Sequence, residues 1–158
     1  MARRRAREFA LQALYKIDQV ADGADRALDL LWSGQNDSEG IGGVRPADED
    51  ERAFAARLVS GVEQRRDEID GLIESASVNW RLVRMPVVDR NILRLATYEL
   101  LGCHDVPASV SINEAVELAK RYGDKDSRAF VNGILDRIAA ETGRGGRHAQ
   151  KGERKPAR

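Results

Sequence analysis

Cys103 is the chain's single cysteine, so no intrachain disulfide can form and no thiolate cage can hold a metal. Aromatics make up only 5% of the 158 residues. That is a poor supply for a β-sandwich, whose core draws on aromatic and β-branched side chains. No apolar run reaches membrane-spanning length, and the arginine-rich start is not followed by the apolar stretch of an export signal. The expected compartment is therefore the cytoplasm. Histidine is nearly as sparse as cysteine, with two residues. His104 directly follows Cys103, so on a helix end their side chains diverge by about 100° and make no thiolate–imidazole pair; His148 sits in a polar tail. The phosphate-loop pattern G-x-x-x-x-G-K-[ST], a strand running into G-x-G-x-x-G, and H-E-x-x-H are all missing. Asp48, Glu49, Asp50 and Glu51 do form an acidic cluster, but the positive end of a helix explains it without a metal. No cofactor and no catalytic constellation is expected, which points to a binding protein.

Net charge is also lacking: 26 basic and 26 acidic residues cancel. Their distribution carries the information. Residues 1–7 hold four arginines and no acid, and residues 143–158 hold six basic residues against Glu153. The intervening body is therefore strongly acidic. Two basic ends suit a polyanion, and an acidic body suits a basic protein.

What is present is helical periodicity. Residues 3–20 place Ala6, Ala10, Ala13, Leu14 and Ile17 on one stripe. A shorter helix is expected over 24–32, followed by a glycine-rich surface loop over 33–46. Pro46 and the acidic cluster open a third helix with Phe54, Leu58, Val59 and Val62 inward, and a fourth starts at Asp67. Trp80 and Leu82 are expected to plug the core beyond it. The segment after Pro86 is apolar around most of its circumference, which marks a central, buried helix. Ser111-Ile112-Asn113-Glu114 reads as a capping box opening the next helix, closed by Gly123. Asp126 or Ser127 caps a last helix bearing Phe130, Val131, Ile134, Leu135 and Ile138. The expectation is all-α: one domain over residues 1–142, a helical bundle of about seven helices in two packed halves, then a disordered basic tail over 143–158.

The opposite stripe of the first helix carries the candidate site. Arg4, Glu8, Gln12, Tyr15 and Gln19 share it, beside the cluster Arg3, Arg4, Arg5 and Arg7. Arginines neutralise phosphates, the glutamine offers an amide to a base edge, and the tyrosine can stack a splayed base. A solvated basic helix end with a snorkelling aromatic is the other reading, and composition does not separate the two.

Three stretches resemble one family. They are Arg3-Arg4-Arg5-Ala6-Arg7-Glu8 with Ala13-Leu14-Tyr15; residues 85–100, from Met85-Pro86-Val87-Val88-Asp89-Arg90 to Tyr98-Glu99-Leu100; and residues 106–136, through Ile112-Asn113-Glu114-Ala115 to Phe130-Val131-Asn132-Gly133-Ile134-Leu135-Asp136. In order and spacing they are similar to the NusB family of bacterial transcription antitermination factors. The resemblance implies an all-α fold without enzymatic activity. It also implies binding of boxA-type single-stranded RNA together with the ribosomal protein NusE, within an RNA polymerase antitermination complex that supports ribosomal RNA operon transcription. On the RNA side it implies Arg3, Arg4, Arg5, Gln12 and Tyr15, with Asp126 and Phe130 edging the same surface; Arg7 joins them as part of the cluster. Asp126 would shape the site as a helix cap, and Phe130 competes with a place in the core. Asp89, at the expected exposed start of the central helix, would face NusE. Set against this are a helical protein–protein interaction module with merely solubilising arginines, and the related N-terminal domain of ribosomal RNA cytosine methyltransferases. The methyltransferase chemistry itself needs a strand and glycine-rich turn that this sequence lacks.

Overall fold

The computed structural model describes residues 2–20, 23–37, 45–78 and 80–144. Among them are seven α-helices: α1 (Ala2–Val20), α2 (Ala24–Asp37), α3 (Glu49–Gln64), α4 (Arg66–Ala76), α5 (Val87–Gly102), α6 (Ala108–Tyr122) and α7 (Ser127–Glu141). A 3-10 turn, Leu82–Arg84, lies between α4 and α5. The all-α expectation holds. The chain divides into two compact units, Met1–Gln64 and Arg65–Arg158.

In the first unit α1 packs on both α2 and α3, and α2 on α3. The expected stripe Ala6, Ala10, Ala13, Leu14 and Ile17 is buried, facing Ala27 and Leu28 of α2 and Phe54, Leu58, Val59 and Val62 of α3. Alanines at the contact let the helix axes approach closely, so a small three-helix core closes with few aromatics. α2 runs on to Asp37, past the loop start expected at Ser33. A lone Gly34 costs a helix only about 1 kcal/mol, less than the packing of the preceding turns supplies. The rest of that loop, residues 38–44, lies outside the described residues.

In the second unit α5 packs against α4, α6 and α7, and Ile92, Leu93, Leu95, Ala96 and Leu100 are buried along it. Its remaining circumference is buried and polar, so each charge needs a partner. Arg94 donates to both carboxylate oxygens of Asp70 at 2.9 and 3.1 Å and to Asn91. Glu99 accepts from the Ser111 hydroxyl at 2.8 Å.

That last bond overturns the expected capping box at residues 111–114. α6 starts three residues earlier, after Pro107, whose carbonyl accepts from Val110 and Ser111. Ser111 is thereby turned inward to serve buried Glu99, and Ile112 is only half-buried. At the start of α7 the capping carboxylate is Asp124, which accepts from the backbone N–H groups of Asp126 and Ser127 at 2.9 and 3.1 Å. Asp126 occupies the N-cap position without a side-chain bond, so the capping role expected of it belongs to its neighbour. Gly123 does close α6, in an extended conformation. Its need for glycine is space: a Cβ there would strike Ser127 and would lie 2.8 Å from the Ala119 carbonyl.

The end of α7 is a Schellman cap. Gly143 adopts φ +75°, its N–H reaches the Ala140 carbonyl, and Arg144 N–H reaches Ala139 at 2.7 Å. The Arg144 side chain then donates to the carbonyls of Leu100 and Val106, both at 2.7 Å. Gly143 and Arg144, expected at the start of the tail, are therefore ordered; residues 145–158, including His148, lie outside the described residues. Cys103 is buried and His104 exposed. No helix among the described residues is long and apolar enough to cross a membrane.

Candidate nucleic-acid interface

At 100° per residue, α1 deals its arginines to different sides. Arg3 and Arg7, one turn apart, lie towards α3, where their guanidinium carbons sit 4.5 and 5.4 Å from the Phe54 ring centroid; Arg57 approaches the same ring at 5.9 Å. Arg3 stays exposed, but Arg7 is 3% exposed, so its expected contact with RNA gives way to packing against Phe54. Arg4 is exposed.

Arg5 heads the other side, and its position is fixed by Glu51, a member of the acidic cluster whose contact with Arg5 no local pattern in the sequence pointed to. Asp48 and Glu51 form a capping box at the start of α3. The Glu51 N–H donates to Asp48 Oδ1 at 2.8 Å, and the Asp48 N–H donates to Glu51 Oε1 at 3.0 Å. The acidic cluster is thus helix-start chemistry. The Glu51 side chain is fully buried and so needs more than one partner. Arg45 reaches both its oxygens, at 3.0 and 3.2 Å. Arg5 reaches it at 3.2 Å and also donates to the Arg45 carbonyl at 2.6 Å. This clamp ties the chain before α3 to the head of α1.

Below the clamp α1 and α2 frame a groove of about 580 Å³. The α1 wall presents Arg5, Phe9, Gln12, Tyr15, Lys16 and Gln19, spaced three and four residues apart so that they share a face. The α2 wall presents Ala27, Leu30, Leu31 and Gly34, and Arg45 and Pro46 close one end. Phe9 is held edge-on by Trp32, with ring centroids 5.6 Å apart, and is covered by the Arg5 guanidinium at 5.2 Å. Tyr15 is 48% exposed, on the wet face as expected, and Gln12 is exposed beside it. Among the described residues lining the groove the charged groups are all cations, and no carboxylate is present.

The remaining candidates belong to the second unit. Asp126 is exposed. Phe130 is half-buried and meets Trp80 edge-to-face at 6.3 Å. Trp80 is 51% exposed, so it does not plug the core as expected; Leu82 alone does, at 8%. Val78 and Val83 are each 77% exposed alongside.

Asp89 departs most from expectation. It is 4% exposed, because the first turn of α5 lies against the head of α7 and brings its carboxylate beside Ser127 and Asp124. Burial, and secondarily the Asp124 charge, push its pKa above the ordinary carboxylate value; a hydrogen bond from Ser127 opposes them. The exposed carboxylate expected at the start of the central helix is therefore an enclosed one.

The model of the family described as NusB matches residues 4–140. The chain is 51% identical over 138 residues to the transcription antitermination protein NusB of Myxococcus xanthus, covering 87% of this chain and 94% of that one. It is 49% identical over 152 residues to that of Anaeromyxobacter dehalogenans, covering 96% and 97%. Among solved structures it is similar to T. maritima NusB, with a TM-score of 0.77 and 37% identity over 94% of this chain and 96% of that one. It is also similar to a chain in a complex of antitermination factors NusB and NusE with dsRNA, with a TM-score of 0.74 and 27% identity over 87% and 95%.

Proposed function

The chain belongs to the NusB family, and we propose that, as a transcription antitermination factor, it binds boxA-type single-stranded RNA together with the ribosomal protein NusE. In this reading it joins the RNA polymerase antitermination complex on ribosomal RNA operons, in the cytoplasm, and no catalytic step is assigned to it. The observation that carries it is the α1 face: Arg5, Gln12 and Tyr15 around one groove whose charged rim, among the described residues, is wholly cationic. Arg3 and Arg4 extend the positive field at the helix head. Phosphate contact then comes from the arginines and base contact from Gln12 and Tyr15. Asp126 and Phe130 serve as secondary RNA contacts, Phe130 through the aromatic edge it shares with Trp80. The functional domain then runs two residues past the expected boundary, to Arg144, whose side chain the fold uses, with the rest of the basic tail outside it.

We assign the NusE contact to the second unit, where Val78 and Val83 leave apolar surface exposed. Such surface marks a protein-binding face. In this reading Asp89, buried at the contact of α5 with α7, does not touch the partner.

Fluorescence anisotropy tests the reading, using labelled boxA-type RNA, a scrambled strand and the same sequence as a duplex. Each is titrated with and without NusE at two salt concentrations. Preferential binding of single-stranded boxA that tightens with NusE is the expected outcome. Equal, salt-sensitive binding to all three would reduce the arginines to a generic basic patch. Preference for the duplex would favour the second reading, double-stranded RNA, the ligand in the related NusB–NusE complex.

A further inference from the structure

We propose that the groove between α1 and α2 is a base pocket: it admits one unstacked nucleobase of the bound strand, while Lys16 and Arg45 hold the flanking phosphates. This rests on the RNA-binding reading above and assigns to it a specific pocket on the protein. A groove of about 580 Å³ is in the size range of small-ligand pockets, with room for one base and its ribose. It is preformed. The Phe9 ring is fixed between Trp32 and the Arg5 guanidinium, so it does not fold into the space. The end at Arg45 is held by the buried carboxylate of Glu51. The walls are apolar where a flat ring would lie, with Ala13 on one side and Ala27 and Leu31 on the other. Two amides, Gln12 and Gln19, supply both donors and acceptors for a base edge.

The chemistry at the rim selects the occupant. A peptide side chain would also fill an apolar groove, but it brings no recurrent negative charge. Arg45 pairs with Glu51 and, at 3.6 Å, with Asp48, yet keeps 57% of its side chain exposed, and Lys16 is exposed on the α1 wall. Cations flanking an apolar slot match the alternation of phosphate and base along a single strand.

Gly34 provides the test. It lines the groove, and a Cβ built on it meets nothing within 4 Å. Gly34→Leu therefore adds a bulky side chain at the groove wall without a clash and narrows the space, while replacing glycine with a better helix former. Gly34→Ala controls for propensity and leaves most of the space. Thermal unfolding should show both variants at least as stable as the wild type. Each position of a boxA-type RNA is then replaced in turn by an abasic nucleotide, and affinities are measured with the full chain by anisotropy.

With wild type and Gly34→Ala, one abasic position should cost roughly tenfold, the worth of one stacked base. With Gly34→Leu, intact RNA should bind about tenfold more weakly, and that same position should become indifferent. If Gly34→Leu binds every RNA as the wild type does, the base pocket is wrong while the RNA-binding reading stands. If it spares RNA binding and abolishes binding of NusE, the groove belongs to a protein and the proposal fails. If the wild type binds none of the RNAs, the functional reading fails, and this inference with it.

Discussion

Tyr15 and Arg7 lie two turns apart on one helix, and their surroundings assign them opposite tasks. Arg7 is enclosed against Phe54, so removing it would disturb packing whatever the ligand. Tyr15 has half its surface in water, and truncating it leaves no cavity in the core. Tyr15→Ala should therefore weaken RNA binding by about 1–3 kcal/mol if the ring stacks a base, with no change in melting temperature. An unaltered affinity in a folded variant would remove Tyr15 from the interface. Asp89 yields a prediction of another kind. Its pKa is raised in the fold, chiefly by burial, so the native state disfavours the ionised form. The penalty is felt at pH values above the raised pKa and disappears as pH falls below about 3.9, the ordinary aspartate value. Asp89→Asn should consequently be at least as stable as the wild type at neutral pH, with any advantage shrinking on acidification. Chemical denaturation from neutral pH down to about 3.5 measures it. A variant less stable at neutral pH would show that the ionised carboxylate holds the α5–α7 contact together.

At the scale of elements, periodicity marked out the seven helices and most inward faces, because a core of small helices leaves a 3.6-residue pattern in the chain. The ends were less legible. Asp48 to Glu51 and Ser111 to Glu114 share the same spacing of a short polar residue and a glutamate, yet only the first forms a capping box. The second lost its role to Pro107 and to the buried Glu99, a partner 12 residues away. The site divided similarly. Gln12 and Tyr15 were readable on the exposed stripe of α1, and Lys16 and Gln19 follow from the same spacing. The tie of Arg45 and Glu51 to the site was not readable, since it consists of contacts with Arg5 that span 40 and 46 residues of sequence. Arg144 is a further long-range case, and it makes a prediction. Its guanidinium satisfies two carbonyls, those of Leu100 near the end of α5 and of Val106 just beyond it, in a region where a helix leaves its last carbonyls unpaired. Ending the chain after residue 142 should cost roughly 1–3 kcal/mol, the scale of charge-assisted bonds. Ending it after residue 144 should cost nothing measurable, and calorimetry of the two truncations compares them directly. Equal stability would make the Arg144 bonds incidental.

At the scale of the molecule the neutral total charge hides a division of labour between the two units. Cations converge on the first, where Arg3, Arg4, Arg5, Lys16 and Arg45 lie at the head and flank of α1. The second offers the exposed valines Val78 and Val83 near the start of α5. Net charge does not divide the ligands, since residues 1–64 hold nine basic and twelve acidic residues and residues 65–142 hold eleven and thirteen. The division rests on local patches, a cationic one on α1 and an apolar one before α5. The two activities should then be separable by substitution. Arg4→Gln should weaken binding to every RNA sequence and lower the salt slope by about 0.7 for each single-strand phosphate that is no longer neutralised, leaving NusE affinity unchanged. Val83→Lys should do the converse. The side chain is 77% exposed, so the fold tolerates a charge there, but a lysine on an apolar docking face must be desolvated by the partner and repels a basic one. NusE binding should fall while RNA binding by the chain alone is retained, and the tightening of RNA binding by NusE should vanish with it. If Val83→Lys weakens RNA binding and NusE binding by the same factor at constant melting temperature, the division between the units is not functional, and one continuous surface serves both ligands.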